Sequence, residues 1–558
     1  MNQRLGVVST ARASTLKMNG VRYTSASALL AAWTALNLLF NVRYPAPQPA
    51  ATYFLPSIDA TLILAGIAAW AWRGRRLPGL TVAALALAVV LVRALRIGDG
   101  VVRRYFNRPF DVGLDLPTAG EIGRLMRSTV SLPVMLAGTL VLAGCTIGFA
   151  TLAAWSIRAA ERSFAVATLR WLFAAMVAIA LVVSPLLLPD GGRGMRQGLF
   201  APSALPRFFH EGQRLLGLPA YRRAQTARVR ADAARVAALP HDLGKLAGDN
   251  VLLFFVESYG ATVLEHPQLI APIDAIYRDI DAQLGGRGFQ IASRLIDSPT
   301  YGGRSQLAHQ ALLTGVRASN RIDDAVVQDL RPKTMADLFH DAGYRTVLVM
   351  PGTTHRNLYR WVYDFDKLYA FWDLGYQGPT YAFGAMPDQF VIDAIHRSEV
   401  AAANQPLLIT YALVSSHAPW DRQPPFLSDW SQLGDGRVFW QRPTVSFPTN
   451  WSNLPQGAEA YGHAIACSLQ VIASYLATFD LGNTLVIVLG DHQPVADITR
   501  ASPSSAVPIH IISRRAAVVD AFRARGYHTG MRPPPDATPA GMETFLPDLL
   551  VNFSRSTR

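Results

Sequence analysis

Apolar residues follow two regimes along this chain. Up to about residue 190 they form long, nearly unbroken runs; beyond residue 250 they come in short runs that alternate with amphipathic stretches. Five of the long runs approach the length needed to cross a bilayer: Tyr23–Phe40, Pro56–Trp72, Leu77–Leu95, Val130–Trp155 and Ala165–Leu188, the first two being short. The segment "NLLFNVRYPAP" after the first run has no good small-residue cleavage site, so a removable signal peptide is not expected. Beyond residue 250 the pattern predicts a different domain. "NVLLFFVES" reads as a buried strand, "TMADLFHDAGYRTVLVMPG" as a helix, a glycine turn and a strand, and "QPLLITYALVSSH" as a strand. "GHAIACSLQVIASYLATFD" reads as a long helix, and "NTLVIVLGDHQP" and "AVPIHIISRR" as strands. Alternating strands and helices predict an α/β domain with a mostly parallel central sheet flanked by helices. The expected organisation is an α-helical membrane domain of about five spans over 1–190, a helical connector over 191–247 and a catalytic α/β domain over 248–558.

Basic residues orient the membrane domain. Arg4, Arg12, Lys17 and Arg22 precede the first run, Arg73, Arg75 and Arg76 follow the second, and Arg158 and Arg162 follow the fourth. All three groups fall on one side, which positive-inside bias assigns to the cytoplasm. The loop from Arg96 to Arg127 is also Arg-rich and falls on the other side, but it is long and carries acids as well. Five spans then put everything after residue 190 outside the cytoplasm. In the connector, "PAYRRAQTARVRADAARVAAL" is a helix with many Arg and little apolar face, either a solvated spacer or a helix resting on anionic headgroups.

Composition agrees with a membrane part. The 558 residues are 50% hydrophobic and only 16% charged, with a mean hydropathy of +0.19. The net charge of +13 fits anionic lipid or a phosphorylated substrate. No basic run is interleaved with aromatic residues, so nucleic acid is not an expected partner. The two cysteines, Cys145 and Cys467, lie far apart, so neither a disulfide nor a thiolate metal site is expected.

Candidate chemistry gathers at the C-terminal ends of predicted strands, where open α/β sheets bind ligands. Glu257 ends one strand, Asp491 and His492 end another, and His417 in "SSHAPW" ends a third. Asp, Glu and His suit a divalent ion such as zinc, manganese or magnesium. The fourth element is "YGGRSQLAHQALLTG", in which Ser305 stands behind Gly302 and Gly303 at the start of a helical pattern. A metal bound by Glu257, Asp491 and His492 and touching Ser305 lowers the hydroxyl's pKa and makes a nucleophile, and His417 protonates a leaving oxygen. Each residue also has a plain reading. Ser305 is then a helix cap, Glu257 a loop carboxylate, Asp491 and His492 a capping pair, and His417 a ring packed on the Trp that follows.

"NVLLFFVESYG", the Ser305 helix, "SSHAPW" and "VIVLGDHQP", in this order, resemble the sulfatase branch of the alkaline phosphatase superfamily. With spans ahead of the domain, the chain resembles more narrowly the lipoteichoic acid synthases and related phosphoglycerol and phosphoethanolamine transferases. The resemblance implies Glu257, Ser305, Asp491 and His492 as ligands of one divalent ion, Ser305 as nucleophile and His417 as a substrate-binding histidine. Sulfatases place a Cys or Ser ahead of a Pro-Ser-Arg-like stretch and Leu-Leu-Thr-Gly, and counting back from Leu312–Gly315 reaches Ser305. The Arg that sulfatases need four residues later is His309 here, and Leu307 replaces the small residue or Pro. The formylglycine signal is therefore missing, which favours an unmodified serine attacking phosphorus. Lipoteichoic acid synthases use Thr, which makes Thr300 the second candidate. Thr300, His309 and Arg360 are the further substrate-binding candidates; the family's aromatic–Arg motif is blurred in "HRNLYRWVYDFDKLY". The implied activity is transfer of a phosphoglycerol or phosphoethanolamine group from a phospholipid donor to a glycan or lipid acceptor through phosphoryl-serine. The alternatives are a phosphodiesterase, phosphatase or sulfatase-type hydrolase of the same superfamily, and an inactive lipid- or glycan-binding membrane protein. A transporter is disfavoured by the scarcity of ionisable residues within the spans.

Overall fold

The computed structural model describes residues 24–42, 51–118, 120, 131–186, 200–201, 203–354, 363–450, 453–500, 502–536 and 538–555. The chain divides into two compact units, one made of 1–104 and 108–218, the other of 105–107 and 219–558. The division falls inside a single helix, Leu205–Ala237, just before its internal Pro219.

In the first unit every one of the five apolar runs is helical: 24–41, Ile58–Ala71, Gly79–Phe106, Leu132–Ser163 and Ala167–Leu186. Among the described residues two of these, Gly79–Phe106 and Leu132–Ser163, are long and apolar enough to cross a membrane; Ile58–Ala71 and Ala167–Val182 are shorter apolar segments. Small and branched residues such as Ala32, Leu36, Ala60, Leu64, Ala153 and Ile157 pack the interior. Leu140, Val141 and Leu142 point outward at 66–72% exposure. Several buried polar groups are paired. Arg93 donates to the Val42 carbonyl, Asp59 accepts the Ala204 N–H at 2.7 Å, and Asp99 pairs with Arg207 at 3.1 Å.

The second unit is built on a sheet that runs, among the described residues, to nine strands. In chain order the strands are β1 (Asn250–Val256), β2 (Gln290–Asp297), β3 (Arg345–Met350), β4 (Lys367–Ala370), β5 (Leu407–Leu413), β6 (Arg422–Gln423), β7 (Val445–Ser446), β8 (Thr484–Gly490), β9 (Ala506–Ser513), β10 (His528–Thr529) and β11 (Ala540–Gly541). The sheet order is β10-β2-β9-β8-β1-β5-β3-β4, with β11 beside β2; β6 and β7 form a separate ribbon. β8, β1, β5, β3 and β4 are parallel, whereas β9 runs antiparallel to both β8 and β2. The sheet is thus mixed but mostly parallel.

β1 is apolar from Val251 to Val256 because both of its faces are covered. Leu252, Phe254 and Val256 face one core, under helices Ile270–Gly285, Asp388–Ile395 and Ala458–Thr478. Val251, Leu253 and Phe255 face the other, under Ser305–Thr314, Met335–Asp341 and Phe545–Phe553. Register then sets the site. Val256 lies opposite both Leu413 and Gly490, so the three central strands end in line.

Candidate metal and phosphoryl-transfer site

Beyond those aligned ends the chain places Glu257, the turn leading to His417, and the pair Asp491–His492. Gly490 allows the close approach, since a Cβ there would lie 1.8 Å from the Tyr259 carbonyl oxygen. Each acidic or imidazole group is held by one atom and presents another. Asp491 Oδ1 accepts the backbone N–H of Ser258 at 2.7 Å and of His492 at 2.8 Å, which leaves Oδ2. Glu257 Oε1 accepts the Ser258 hydroxyl at 2.8 Å. His492 donates Nδ1–H to the Gln493 carbonyl at 2.7 Å, so Nε2 is the nitrogen turned toward the carboxylates. Nε2 lies 3.4 Å from Glu257 and 3.5 Å from Asp491. Such anchoring of the opposite atom is how metal-binding histidines and carboxylates are oriented.

Ser305 completes the group. Its Oγ lies 3.2 Å from both Glu257 Oε2 and His492 Nε2. It is the first residue of the helix Ser305–Thr314, whose N-cap is Arg304, and no side chain caps that end. The hydroxyl therefore points to the acidic cluster rather than back to its own helix. Gly302 and Gly303 precede it at φ +67 and +143, and Arg304 takes the left-handed conformation at φ 62. That tight turn sets the helix end against β1.

Electrostatics favour a cation here. Glu257, Asp491 and His492 are buried, and their ligand atoms lie within 4.8 Å of one another. Burial, and next the Glu257 carboxylate, raise the Asp491 carboxyl above its ordinary value. Burial opposes charge on Glu257 and His492 too. Glu257 is nevertheless held low by His492, His417 and the Ser258 hydroxyl, and His492 is held high by Asp491 and Glu257. Two buried carboxylates and an outward nitrogen lone pair compete for protons, and a divalent ion answers all three at once. The donor set of oxygen, oxygen, nitrogen and hydroxyl fits such an ion.

A cavity of about 220 Å³ opens beside the cluster, lined by Glu257, Ser305, His309, His417 and Asp491 together with Arg304, Gln306, Thr353 and Phe383. His309 stands one helical turn after Ser305, packs against Phe255 with ring centroids 4.2 Å apart and planes tilted by 45°, and is pushed by burial down to about 4, so it is neutral at physiological pH. His417 donates Nδ1–H to the Ala418 carbonyl at 2.7 Å and stacks on Phe383, not on the Trp420 ring that follows it in sequence. Thr300 does not line this cavity; its hydroxyl donates to the Gly303 carbonyl at 2.6 Å and ties the glycine turn. Arg360 lies outside the described residues.

Several neighbours carried no sequence signal that the reading used. Ser258 follows Glu257 directly, in left-handed backbone at φ 59, and serves both carboxylates. Ser416 donates to the Glu257 carbonyl at 2.7 Å, and Tyr461, two hundred residues on from Ser258, donates to the Ser258 carbonyl at 2.9 Å. "VES" and "SSH" advertise the two serines; nothing local advertises Tyr461 or Phe383.

The sulfatase family model matches residues 292–509, a stretch that contains Ser305, His309, His417, Asp491 and His492 and begins after Glu257. No curated protein matches the sequence. Similar solved structures include the lipoteichoic acid synthase LtaP from Listeria monocytogenes, at 12% identity over 59% of this chain and 78% of that one, with a TM-score of 0.35. They also include the Streptococcus pyogenes phosphoglycerol transferase GacH (14%, 59% and 92%, 0.35). A third is the soluble domain of the lipooligosaccharide phosphoethanolamine transferase A from Neisseria meningitidis (13%, 56% and 90%, 0.37). Residues 292–509 thus match the sulfatase family model, and the stretch holds four of the five residues gathered at the strand ends.

Proposed function

We propose that this protein is a membrane-anchored, metal-dependent transferase. It moves a phosphoglycerol or phosphoethanolamine group from phosphatidylglycerol or phosphatidylethanolamine to a glycan or lipid hydroxyl, through a phosphoryl-Ser305 intermediate. The observation that carries this is Ser305 Oγ, 3.2 Å from both Glu257 and His492 at a helix N-terminus that it does not cap. A divalent ion held by Glu257, Asp491 and His492 supplies positive charge that lowers the Ser305 pKa and polarises the phosphoryl group. The chain's own residues do the rest. Ser305, its proton lost to solvent at the lowered pKa, attacks phosphorus. The new O–P bond forms as the bond to diacylglycerol breaks, and His417 Nε2 delivers a proton to the departing oxygen. The acceptor hydroxyl then attacks the same phosphorus and gives its proton to His417, while the Ser305–phosphorus bond breaks. The first-turn N–H groups of the helix favour the negative charge that gathers on Ser305 and the phosphoryl oxygens. Thr353, Gln306 and the neutral His309 offer hydrogen bonds to the headgroup.

The anchor belongs to the same reading. Residues 1–190 are the membrane domain with five helices, 191–247 the connector and 248–558 the catalytic domain, periplasmic at the bacterial inner membrane. Its support is the outward apolar side chains and the placement of Arg between the runs. Such an anchor keeps the site near lipid donors.

Intact-mass measurement of the full-length protein after incubation with phospholipid vesicles tests the reaction. The expected result is a phosphoglycerol or phosphoethanolamine adduct on the peptide that carries Ser305, discharged faster by an acceptor glycan than by water. Equal discharge by water makes the protein a hydrolase. Turnover that survives Ser305→Ala removes the mechanism altogether.

A further inference from the structure

His417 sits on a turn whose backbone is fastened from several directions. Asp388 Oδ1 accepts the Val414 and Ser415 N–H groups at 3.2 and 3.0 Å. Asp388 Oδ2 accepts the Ser468 hydroxyl at 2.7 Å. Ser416 Oγ binds the Glu257 carbonyl, and Trp420 Nε1 donates to the Ser416 carbonyl at 2.7 Å. These bonds place the His417 backbone; none of them sets the plane of its ring. Two contacts do that. One is the Nδ1–H bond to Ala418. The other is Phe383, whose ring lies face to face with the imidazole, centroids 3.6 Å apart and planes within 14°. That is closer than the roughly 4.5–7 Å usual for aromatic pairs.

Phe383 reaches this position through an unfavourable backbone. At φ 60, ψ 16 it is a bulky residue in the left-handed region, next to Gly384 at φ 73. A tight turn holds it there. Tyr381 N–H donates to the Ala385 carbonyl and Gly384 N–H to the Tyr381 carbonyl, both at 2.9 Å. The ring is 55% exposed, so burial of its surface does not account for the conformation. Phe383 also lines the cavity beside Ser305. Strained backbone that holds an exposed aromatic against a histidine beside a nucleophile is the kind of conformation that persists at working sites.

We infer that Phe383 is a positioning residue for His417. It locks the imidazole plane so that Nε2 addresses the oxygen that leaves or attacks phosphorus. This rests on the role proposed above for His417, and it has a consequence that depends on the leaving group. The alkoxide of diacylglycerol is a poor leaving group and needs the proton in place. A nitrophenolate leaves without one. Loss of the stack therefore slows transfer from a lipid far more than transfer from an activated aryl ester.

The test measures, for the full-length metal-loaded protein, the rate of Ser305 phosphorylation from short-chain phosphatidylglycerol and from bis(p-nitrophenyl) phosphate. For Phe383→Ala the expected result is about a tenfold fall in the maximal rate with the lipid, with KM and the aryl-ester rate each within about twofold of wild type. Phe383→Tyr, which keeps the stack, is expected to restore the lipid rate. Phe383→Leu, of similar volume but without a ring, takes the place of Phe383→Ala if the latter does not fold. An equal loss on both esters makes Phe383 merely structural, and a rise in KM alone makes it a substrate contact; either overturns the inference, as does no loss at all. Ser305→Ala is run alongside. Activity surviving in that variant sinks the proposed function, whatever Phe383 does.

Discussion

At the scale of single residues, Ser305 shows how one hydroxyl can look like two things. A serine after glycine at a helix start reads equally as a cap or as a reactive group. Here the cap position belongs to Arg304, and the Ser305 hydroxyl meets Glu257 and His492 instead. Ser305→Ala therefore costs less stability than the ~1 kcal/mol of a lost cap. It is expected to abolish phosphotransfer while thermal unfolding and metal content stay near wild type. Ser305→Thr is expected to keep partial activity, since the hydroxyl remains beside an added methyl. Thr300→Ala is expected to loosen the glycine turn without removing the proposed nucleophile, so transfer from phospholipid vesicles should be reduced rather than absent. The proposed metal ligands make a second prediction. Asp491→Ala and His492→Ala each remove one of three charged or imidazole donors, and metal analysis of the purified variants should show the ion lost. Full metal content in both variants would make these residues structural.

At the scale of elements, the strands that carry the site were the legible ones. β1, β5 and β8 are buried on both faces, so their sequences are nearly continuous apolar runs that stand out. β2 escaped notice because "QIASRLID" breaks its apolar run with Ser293 and Arg294. Ser293 is buried as part of a polar chain. It donates to the Gly530 carbonyl at 2.6 Å and accepts from His510 Nδ1 at 2.7 Å, while His510 Nε2 accepts from the Tyr259 hydroxyl at 2.9 Å. Both ring nitrogens are thus committed with a single ring proton, and burial pushes His510 down to about 3. A histidine with a lowered folded pKa stabilises the fold fully above its unfolded value and loses that contribution as pH falls. The expected behaviour is a decline of up to about 1.4 kcal/mol per pH unit from about pH 6.5 toward pH 3. Denaturant titrations across that range check it, with His510→Gln flattening the slope. β9, which carries His510, was expected as a further strand of a mostly parallel sheet, with no direction assigned to it, and runs antiparallel between β8 and β2. Strand direction is set by the connections and packing around a strand, not by its own apolar pattern.

At the scale of the whole molecule, the described residues of all five apolar runs are helical, and among them two helices pass the length and hydropathy of a span on their own. The helix 24–41 and Ile58–Ala71 are shorter, and they bury Ala32, Leu36, Ala60 and Leu64 against their neighbours. If all five cross, the odd number of spans puts the termini on opposite sides, and the positive-inside bias puts the N-terminus in the cytoplasm. A reporter fused after residue 558 should then be active only outside the cytoplasm, and one fused after Arg76 only inside. A cytoplasmic C-terminus would remove the five-span reading and, with it, access to a periplasmic acceptor.

What the sequence determined by itself was whatever depends on local pattern: apolar runs of bilayer length, doubly buried strands, and the acidic and histidine residues at strand ends. Glycines beside Ser305, and "GDH" after an apolar strand, mark sharp turns that any fold of this chain must accommodate. What only the tertiary structure decided was which of these residues share one space. Glu257 and Asp491 are 234 positions apart in sequence, and it is the register of β1 with β8 that brings them to one cluster. The orientation of these side chains likewise comes from afar, as when the Ser258 N–H fixes the Asp491 carboxylate. Phe383 meets His417 only because a turn outside the sheet lies over the end of β5. Such contacts depend on packing between elements distant in the chain, and a local apolar pattern carries no record of them.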